Sequence, residues 1–284
     1  MLLGEILQKT TSFFKEKKIE TARLDAELLI ADALNLKRID LYIKFEYPLT
    51  ETEIQKCRDH VRRRAQQEPV AYILEKKDFF KESFKVKKGV LVPRPETEGL
   101  VEEALAWIQR NSLSAPYIAD FGSGSGCVGL SILKEMSDQG RLVGVDASEL
   151  AIENSRENGM KLELKNFEFI KARIQDFDFG EKPFDVVVAN PPYIAKEDSN
   201  IQEDVKKFEP HEALFAEDEG YKEIADWAQV AARILRPGGL VAFEIGATQA
   251  QKAKKIFADT GQFVLIRSEK DLAGLDRFVF AEKS

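Results

Sequence analysis

Cysteine and histidine are scarce in this sequence. Its 284 residues include two of each, Cys57 and Cys127, His60 and His211. The cysteines are far apart and form no CxxC spacing, so we expect neither a disulfide scaffold nor a zinc site, and no other metal site.

Long apolar runs are also missing. Residues 1–18 are apolar only at intervals and carry Glu5 near their start, unlike the unbroken apolar segment of a signal peptide. No later stretch approaches the length of a membrane span. We therefore expect a cytoplasmic chain with no membrane partner.

The chain has no excess of basic residues. Its 42 Lys and Arg against 49 Asp and Glu give a net charge of −7, which is unfavourable for a protein that mainly grips nucleic acid. Direct DNA binding is therefore not expected. Hydrophobic residues at 44% and charged residues at 32% are typical of a globular protein. The length predicts two domains, or one large α/β domain with an appendage.

Residues 1–84 are predicted to form a helical domain that includes the start of a linker. Leu24, Leu28 and Ala31 recur at helical spacing. Thr50 followed by Glu53 forms a capping box ahead of an apolar stripe. A small helical bundle follows from these patterns.

The last of these helices is basic. Arg58, Arg62, Arg63 and Arg64 follow along it. A solvated face is the simpler interpretation, and contact with an anionic or RNA-rich partner is the alternative.

Aromatic residues then mark a change of pattern. Residues 68–88 are rich in Tyr and Phe and predict a hairpin or connecting strands, and the alternating valines that follow favour linker strands over 85–95. The segment 93–98, PRPETE, opens an amphipathic helix, because proline and acidic residues favour a helix N-terminus. The second domain is therefore assigned to 96–284.

From residue 117 onward strands alternate with helices. Such alternation predicts an α/β fold with a largely parallel sheet covered by helices on both faces, and ligands in this fold lie at the carboxyl ends of the strands. The seven predicted strands are 117–121, 142–146, 167–171, 184–189, 240–245, 263–267 and 277–281. The main helices between them are predicted at 127–136, 148–158, 220–235 and 248–260.

A glycine-rich loop follows the first of these strands. The sequence Asp120-Phe121-Gly122-Ser123-Gly124-Ser125-Gly126 lets a ligand approach the backbone closely. With Gly129 it also spells GxGxxG, and Asp146 ends the next strand, where an acidic residue binds ribose hydroxyls in dinucleotide sites. An adenosine-containing cofactor is indicated, and NAD and S-adenosylmethionine both remain open at this point.

The tetrapeptide Asn190-Pro191-Pro192-Tyr193 ends an apolar strand at the same edge of the sheet. Two successive prolines make a stiff turn that presents acceptors, the Asn190 side-chain oxygen and the Pro191 carbonyl. Two converging acceptors suit a planar NH₂ group, on which Tyr193 would stack. A proline-rich turn that only ends a buried strand is the plain structural alternative.

These motifs together resemble the class I S-adenosylmethionine-dependent methyltransferases, and within them the HemK/PrmC family of release factor glutamine methyltransferases. The similarity covers nearly the whole chain. Its motifs are EPVAY at 68–72, PRPETE at 93–98, the glycine loop, NPPYI at 190–194, FEP at 208–210, EIG at 244–246 with Gln249, and DLAG at 271–274 with Arg277.

The resemblance implies a function and a set of site residues. The enzyme would methylate the side-chain amide nitrogen of the GGQ glutamine in class I peptide-chain release factors, releasing S-adenosylhomocysteine, and would act as a monomer whose helical domain helps grip the release factor. Asn190 would lie between cofactor and glutamine. The implied cofactor residues are Gly122, Ser123, Gly124, Ser125, Gly126, Asp146, Ile174 and Asn190. The implied catalytic and substrate residues are Asn190, Pro191, Pro192 and Tyr193.

One position departs from the family pattern. Where such enzymes often carry an acidic or aromatic residue beside the adenine, this chain has Lys171-Ala172-Arg173-Ile174, so the adenine contact is assigned to Ile174 and backbone. Glu244 and Arg277 are interpreted as structural ion-pair residues without a chemical role.

Other functions compete with this one. A glutamine methyltransferase of a ribosomal protein would share the NPPY turn, and an adenine-N6 nucleic-acid methyltransferase would bind the same kind of NH₂ group, although the acidic composition disfavours it. An NAD-dependent oxidoreductase leaves NPPY without a role. A non-catalytic binding module leaves both motifs unexplained.

Overall fold

A computed structural model describes residues 1–195 and 203–284. The helices are α1 (Leu3–Glu16), α2 (Ala22–Ala33), α3 (Asp40–Ile43), α4 (Glu51–Ala65), α5 (Val70–Ile73), α6 (Glu98–Arg110), α7 (Cys127–Glu135), α8 (Glu149–Lys161), α9 (Glu203–Phe208), α10 (His211–Leu214), α11 (Lys222–Ile234) and α12 (Ala250–Asp259). The strands are β1 (Lys76–Phe79), β2 (Glu82–Lys85), β3 (Tyr117–Phe121), β4 (Arg141–Asp146), β5 (Phe167–Lys171), β6 (Phe184–Ala189), β7 (Ile194–Ala195), β8 (Phe215–Ala216), β9 (Leu235–Glu244), β10 (Phe263–Lys270) and β11 (Asp276–Lys283). Single 3₁₀ turns occur at Pro95–Thr97, Ile174–Asp176 and Asp218–Gly220.

The chain packs as two compact units. One holds Met1–Lys76 together with Glu203–Phe208, and the other holds the remaining described residues. The first unit is helical and has its own apolar core, which includes Leu3, Phe14, Leu29 and Cys57. The predicted helical domain is therefore confirmed as a helical unit, but its packing ends at Lys76, before the predicted boundary at 84.

The capping box predicted at Thr50 starts α4. The Thr50 hydroxyl accepts from the Glu53 backbone N–H at 3.3 Å, and the Glu53 carboxylate accepts from the Thr50 backbone N–H at 2.8 Å. Two N–H groups that the helix itself leaves unpaired are thereby satisfied.

The basic stretch of α4 is not a uniformly solvated face. Arg58 and Arg62 are exposed, but Arg64 is 8% exposed and pairs with the buried Asp25 of α2 at 2.7 Å. Arg63 pairs with Glu68 at 2.7 Å. The prediction of a solvated face is therefore wrong for Arg64, because a buried carboxylate recruits its guanidinium.

The aromatic segment forms a pair of short strands. β1 and β2 pair with each other, which confirms the predicted hairpin. Phe79 and Phe84 are fully buried in the core of the second unit. The linker strands predicted at 85–95 are wrong beyond Lys85, because residues 86–94 form no strand.

The second unit is built on a seven-stranded sheet in the order β10-β11-β9-β6-β3-β4-β5. β5, β4, β3, β6 and β9 are parallel, whereas β11 is antiparallel to both β9 and β10. The predicted mostly parallel α/β fold is confirmed. All seven predicted strands are present, and the order turns back between β3 and β6, where such sheets bind ligands.

Helices cover both faces of this sheet. α11 and α12 pack Trp227 and Phe257 on one face, while α6, α7 and α8 pack Trp107, Leu130 and Ile152 on the other. The central strands are consequently buried along nearly their whole length, as in β6, where only Asp185 is not fully buried. A sheet buried on both faces requires such strands.

No helix among the described residues is long and apolar enough to cross a membrane. Within residues 1–195 and 203–284, no group of three or more His, Cys, Asp or Glu side chains is arranged to hold a metal ion. Both cysteines are buried free thiols.

Candidate active site

Four parallel strands end within one residue of each other at one edge of the sheet. Phe121, the last residue of β3, is in register with Val145 of β4 and Ala189 of β6. Ala189 is in turn in register with Phe243 of β9. Adjacent strands lie roughly 4.8 Å apart, so the next residue of each strand falls in one row. In sheet order this row is Asp146, Gly122, Asn190 and Glu244.

The predicted glycine loop begins this row and leaves open space in front of its backbone. Gly124 has a φ of +54°, and a Cβ built there would meet only the Gly122 carbonyl oxygen, at 3.9 Å. The Ser123 hydroxyl is buried and has no hydrogen-bond partner among the described residues. An unpaired hydroxyl in a loop whose backbone a ligand can approach suits a polar ligand.

Asp146 ties the glycine loop to the turn after β4. Its Oδ2 accepts from the Gly124 N–H at 2.9 Å, and its Oδ1 accepts from the Ser148 N–H at 2.8 Å. Burial raises the pKa of the Asp146 carboxyl, and these two hydrogen bonds offset part of that rise. Each carboxylate oxygen keeps a second lone pair for another donor. Its predicted contact with ribose hydroxyls stays a prediction.

A second carboxyl group, Asp120, lies beneath the loop. It is 3% exposed, and its Oδ2 accepts from the Gly129 N–H at 3.0 Å at the start of α7. Burial, together with the charge of Asp146, raises the pKa of Asp120 to about 7 against the lowering effect of that hydrogen bond. Asp120 therefore fixes the packing of α7 against β3.

Asn190 lies beside the glycine loop and belongs to a chain of polar contacts. Its Nδ2 donates to the Thr97 hydroxyl at 3.3 Å. The Thr97 hydroxyl donates to Glu244 Oε2 at 2.6 Å, and the Tyr193 hydroxyl donates to Glu244 Oε1 at 3.0 Å. The Asn190 carbonyl oxygen is 3.9 Å from a Cβ built on Gly122. The two predicted motifs therefore meet at one place.

Glu244 is the buried centre of this chain of contacts. It is 1% exposed, and burial raises its pKa, while the hydrogen bonds from Thr97 and Tyr193 and the charge of Arg277 lower it in part. Burial and the neighbouring Glu244 charge also raise the pKa of the Tyr193 hydroxyl. Arg277 pairs with Asp271 at 3.1 Å. The ion-pair interpretation thus holds for Arg277, whereas Glu244 acts through hydrogen bonds to hydroxyl groups.

The NPPY turn is held from the other side by Gln249. Its Nε2 donates to the Tyr193 carbonyl at 3.0 Å, and its Oε1 accepts from the Gly246 N–H at 2.8 Å. Pro191 is buried and Pro192 is half-buried. The turn is therefore fixed at the side chain and at the backbone of Tyr193, as a rigid clamp requires.

The PRPETE and FEP motifs support each other. Glu209 is 4% exposed, accepts from Arg94 Nη2 at 2.6 Å and accepts from the Val92 N–H at 3.3 Å. This pair anchors the chain just before Thr97. Its contribution to the site is structural.

Ile174 does not stand at an open surface. It is 3% exposed and belongs to the apolar core that includes Phe121, Phe179 and Trp227. Its predicted contact with adenine stays a prediction, and its observed role is packing at the start of a 3₁₀ turn.

Comparison with known proteins identifies the family. Residues 5–74 match the PrmC N-terminal domain, and residues 115–269 match a methyltransferase domain. The release factor glutamine methyltransferase of Clostridium acetobutylicum is 36% identical over 288 residues, covering 99% of this chain and 98% of the relative. That of Geobacter sulfurreducens is 36% identical over 284 residues, covering 98% and 95%. The chain belongs to the release factor glutamine methyltransferase family.

Solved structures agree on the fold of this methyltransferase. The 16S rRNA N2 G1207 methyltransferase of T. thermophilus aligns with a TM-score of 0.53 at 18% identity, covering 74% of this chain and 50% of that one. A methyltransferase from Pyrococcus furiosus aligns with a TM-score of 0.50 at 15% identity, covering 71% and 88%.

Sequence reasoning missed part of the site of this methyltransferase. The sequence indicates Thr97 only as part of a helix start, and Glu244 only as an ion-pair residue. A signal for Glu244 is present in the sequence, since a carboxylate at the carboxyl end of an apolar parallel strand lies at the ligand edge of the sheet. The hydrogen bond between Thr97 and Glu244 joins residues 147 positions apart, and no local pattern indicates it.

Proposed function

We propose that this methyltransferase transfers a methyl group from S-adenosylmethionine to the side-chain amide nitrogen, N5, of the GGQ glutamine in class I peptide-chain release factors. Asn190 carries this proposal. Thr97 binds its amide nitrogen, and no described residue donates to its Oδ1, which is left to accept from a substrate amide. The names of the full-length relatives support a release factor as the substrate.

The glycine loop suits the methyl donor. Gly124 leaves room for a ligand to approach the backbone, the Ser123 hydroxyl lacks a partner among the described residues, and Asp146 keeps acceptor capacity for ribose hydroxyls. Bound S-adenosylmethionine supplies an electrophilic methyl group. Gly122, Ser125, Gly126 and Asn190 complete the set that we assign to it, and the adenine contact is assigned to Ile174.

The clamp addresses the weakness of an amide as a nucleophile. The amide lone pair is delocalised, and the nitrogen gains positive charge as it attacks. Acceptors at Asn190 Oδ1 and the Pro191 carbonyl strengthen their hydrogen bonds as that charge develops, so they stabilise the transition state more than the ground state. Tyr193 and Pro192 close the pocket on the flat amide. No general base is needed before transfer, because the proton is lost afterwards.

Transfer of labelled methyl groups tests the proposal. The protein is incubated with labelled S-adenosylmethionine and, separately, with a class I release factor, a ribosomal fraction and DNA, and the labelled residue is mapped by mass spectrometry. We expect label on the glutamine of GGQ and none on a release factor in which that glutamine is alanine. Label on a ribosomal protein or on an adenine would replace the proposed substrate with one of those two.

Asn190→Ala is the matched variant for this experiment. It removes the amide acceptor without touching the glycine loop, so we expect methyl transfer to be lost while most of the S-adenosylmethionine affinity, measured by calorimetry, remains. A variant that turns over at a near-normal rate would remove Asn190 from the mechanism.

A further inference from the structure

We propose that Thr97 and Glu244 are positioning residues that hold the Asn190 amide with its oxygen, rather than its nitrogen, towards the substrate. This inference rests on the function proposed above for the identity of the substrate. The geometry on which it stands is a continuous series of hydrogen bonds from Glu244 through Thr97 to Asn190.

The orientation of this amide matters because the two ends of an asparagine side chain have opposite hydrogen-bonding characters. Its oxygen accepts and its NH₂ group donates, and the two ends have nearly the same shape. A substrate amide nitrogen presents only N–H donors. If the Asn190 amide were rotated, its NH₂ group would face the substrate NH₂ group, and no hydrogen bond could form between them. The clamp works in one of the two orientations, and packing alone does not choose between them.

The Thr97 hydroxyl selects one of the two orientations of the Asn190 side-chain amide. A hydroxyl has one proton to donate and accepts through its lone pairs. At 2.6 Å from Glu244 Oε2 the Thr97 proton is committed to the carboxylate, so the side of Thr97 that faces Asn190 can only accept. It therefore takes a hydrogen bond from Nδ2, at 3.3 Å, and turns Oδ1 away from the network.

In its ionised form Glu244 is suited to this task, because a carboxylate only accepts hydrogen bonds. Both of its oxygens receive hydroxyl donors, one from Thr97 and one from Tyr193, so it orients two parts of the clamp at once. Among the described residues it pairs with no cation, although it is almost fully buried, and the nearby Arg277 pairs with Asp271. Burying a carboxylate without a close cation is costly, which argues that it serves more than packing.

Thr97→Val tests the inference, because valine keeps the shape of threonine and removes the hydroxyl. We expect kcat with the release factor to fall about 10- to 100-fold, as for other small losses of alignment, with KM and the S-adenosylmethionine affinity nearly unchanged. Thr97→Ser, which restores the hydroxyl, should recover most of that loss. Ser131→Ala is the control, since it removes a buried hydroxyl that has no partner among the described residues.

A spectroscopic measurement reports the contact between Thr97 and the Asn190 amide without turnover. The side-chain amide of Asn190 gives a pair of ¹⁵N–¹H signals, assigned by their absence in Asn190→Ala. We expect these signals to shift in Thr97→Val and to return towards the wild-type position in Thr97→Ser. Unmoved signals, or a wild-type kcat in Thr97→Val, would overturn the inference.

The two proposals fail in different ways. If the wild-type protein labels no release factor while the Asn190 signals respond to Thr97→Val, the proposed substrate is wrong and the network stands.

If Thr97→Val does not fold, Glu244→Gln replaces it. A glutamine NH₂ group that donates to the Thr97 hydroxyl leaves the threonine proton free to bind Asn190 Oδ1. We expect shifted Asn190 signals and a kcat lowered about 10-fold or more, and an unchanged spectrum would reject the network.

Discussion

Asp146 connects the glycine loop to the following strand with a single carboxylate. It accepts from the Gly124 N–H and from the Ser148 N–H, so it shapes the loop and also remains available to a ligand. Loss of its charge is therefore expected to weaken both the hydrogen bonds that shape the loop and the capacity to accept from a ligand.

Asp146→Asn should weaken the binding of S-adenosylmethionine by about 10- to 100-fold, since hydrogen bonds to charged groups contribute roughly 1.5–3 kcal/mol. The asparagine keeps the size of the side chain but offers one NH₂ group where an acceptor is required. Isothermal titration calorimetry measures the effect directly.

Glu149→Gln is the control for charge. Glu149 is exposed, lies three positions along the chain and pairs with Lys171 at 3.3 Å, so the variant removes one negative charge near the same turn. Its affinity should stay within twofold of the wild type. Equal losses in both variants would show that net charge, and not the Asp146 contacts, governs binding.

The sequence predicts the residues of this site that belong to continuous motifs, and misses those that meet through folding. Asn190 and the glycine loop are predictable because each directly follows an apolar strand and lies in a turn with a recognisable sequence. Thr97 and Asn190 are 93 positions apart, so their hydrogen bond depends on how α6 docks on the sheet. Local chemistry does not encode that docking.

At the scale of the element, helix positions were predicted better than helix faces. Spacing placed Leu24 on the apolar stripe of α2, yet Leu24 is 40% exposed. The buried face carries Asp25 and Glu27, which are paired with Arg64 and Arg38. A hydropathy pattern counts such carboxylates as polar and turns the helix the wrong way.

Gly220 shows how one element constrains another. It has a φ of +89°, and a Cβ built there would lie 2.2 Å from the Tyr193 carbonyl oxygen and 2.7 Å from Gln249 Nε2. Gly220→Ala should displace the NPPY turn, lower the free energy of unfolding by roughly 1–3 kcal/mol and reduce kcat at least 10-fold. Urea unfolding and methyl transfer measure the two effects.

The control for this variant is Gly261→Ala. Gly261 also has a positive φ, +66°, but nothing lies within 4 Å of a Cβ built there. It should lose about 1 kcal/mol of stability from backbone strain alone and keep its kcat. If Gly220→Ala lost no more activity than this control, the steric contact of its Cβ with the Tyr193 carbonyl would have no effect on kcat.

At the scale of the whole molecule, the alternation of strands and helices was sufficient to predict the sheet. Parallel strands that are buried on both faces are nearly continuous hydrophobic runs, which few other elements are. Because the connections between such strands are right-handed, few strand orders are possible. The boundary between the units was harder to place. Phe79 and Phe84 lie in the core of the second unit. The sequence alone does not indicate which of the two cores these aromatic side chains join.

The stability of the protein should depend on pH through Glu27. This carboxylate is 4% exposed and accepts from Arg23, Arg38 and Tyr42. Burial raises its pKa, but the three hydrogen bonds outweigh burial and hold the pKa at about 2, below the ordinary 4.5. The stabilisation is therefore complete above about pH 4.5 and is lost as the pH falls towards 2.

Glu27→Gln should be less stable than the wild type at pH 7, and the difference should shrink as the pH is lowered through this window. Urea unfolding at a series of pH values measures it, with the exposed Glu20→Gln as the control. A difference between Glu27→Gln and the wild type that stays constant from pH 7 to pH 2 would contradict the assigned pKa.

The level ends of β3 and β6 set the spacing between the two segments that follow them. The glycine loop and the NPPY turn follow neighbouring strands whose separation is fixed by main-chain hydrogen bonds. A change confined to the surface helices therefore leaves the spacing between this loop and this turn as it is.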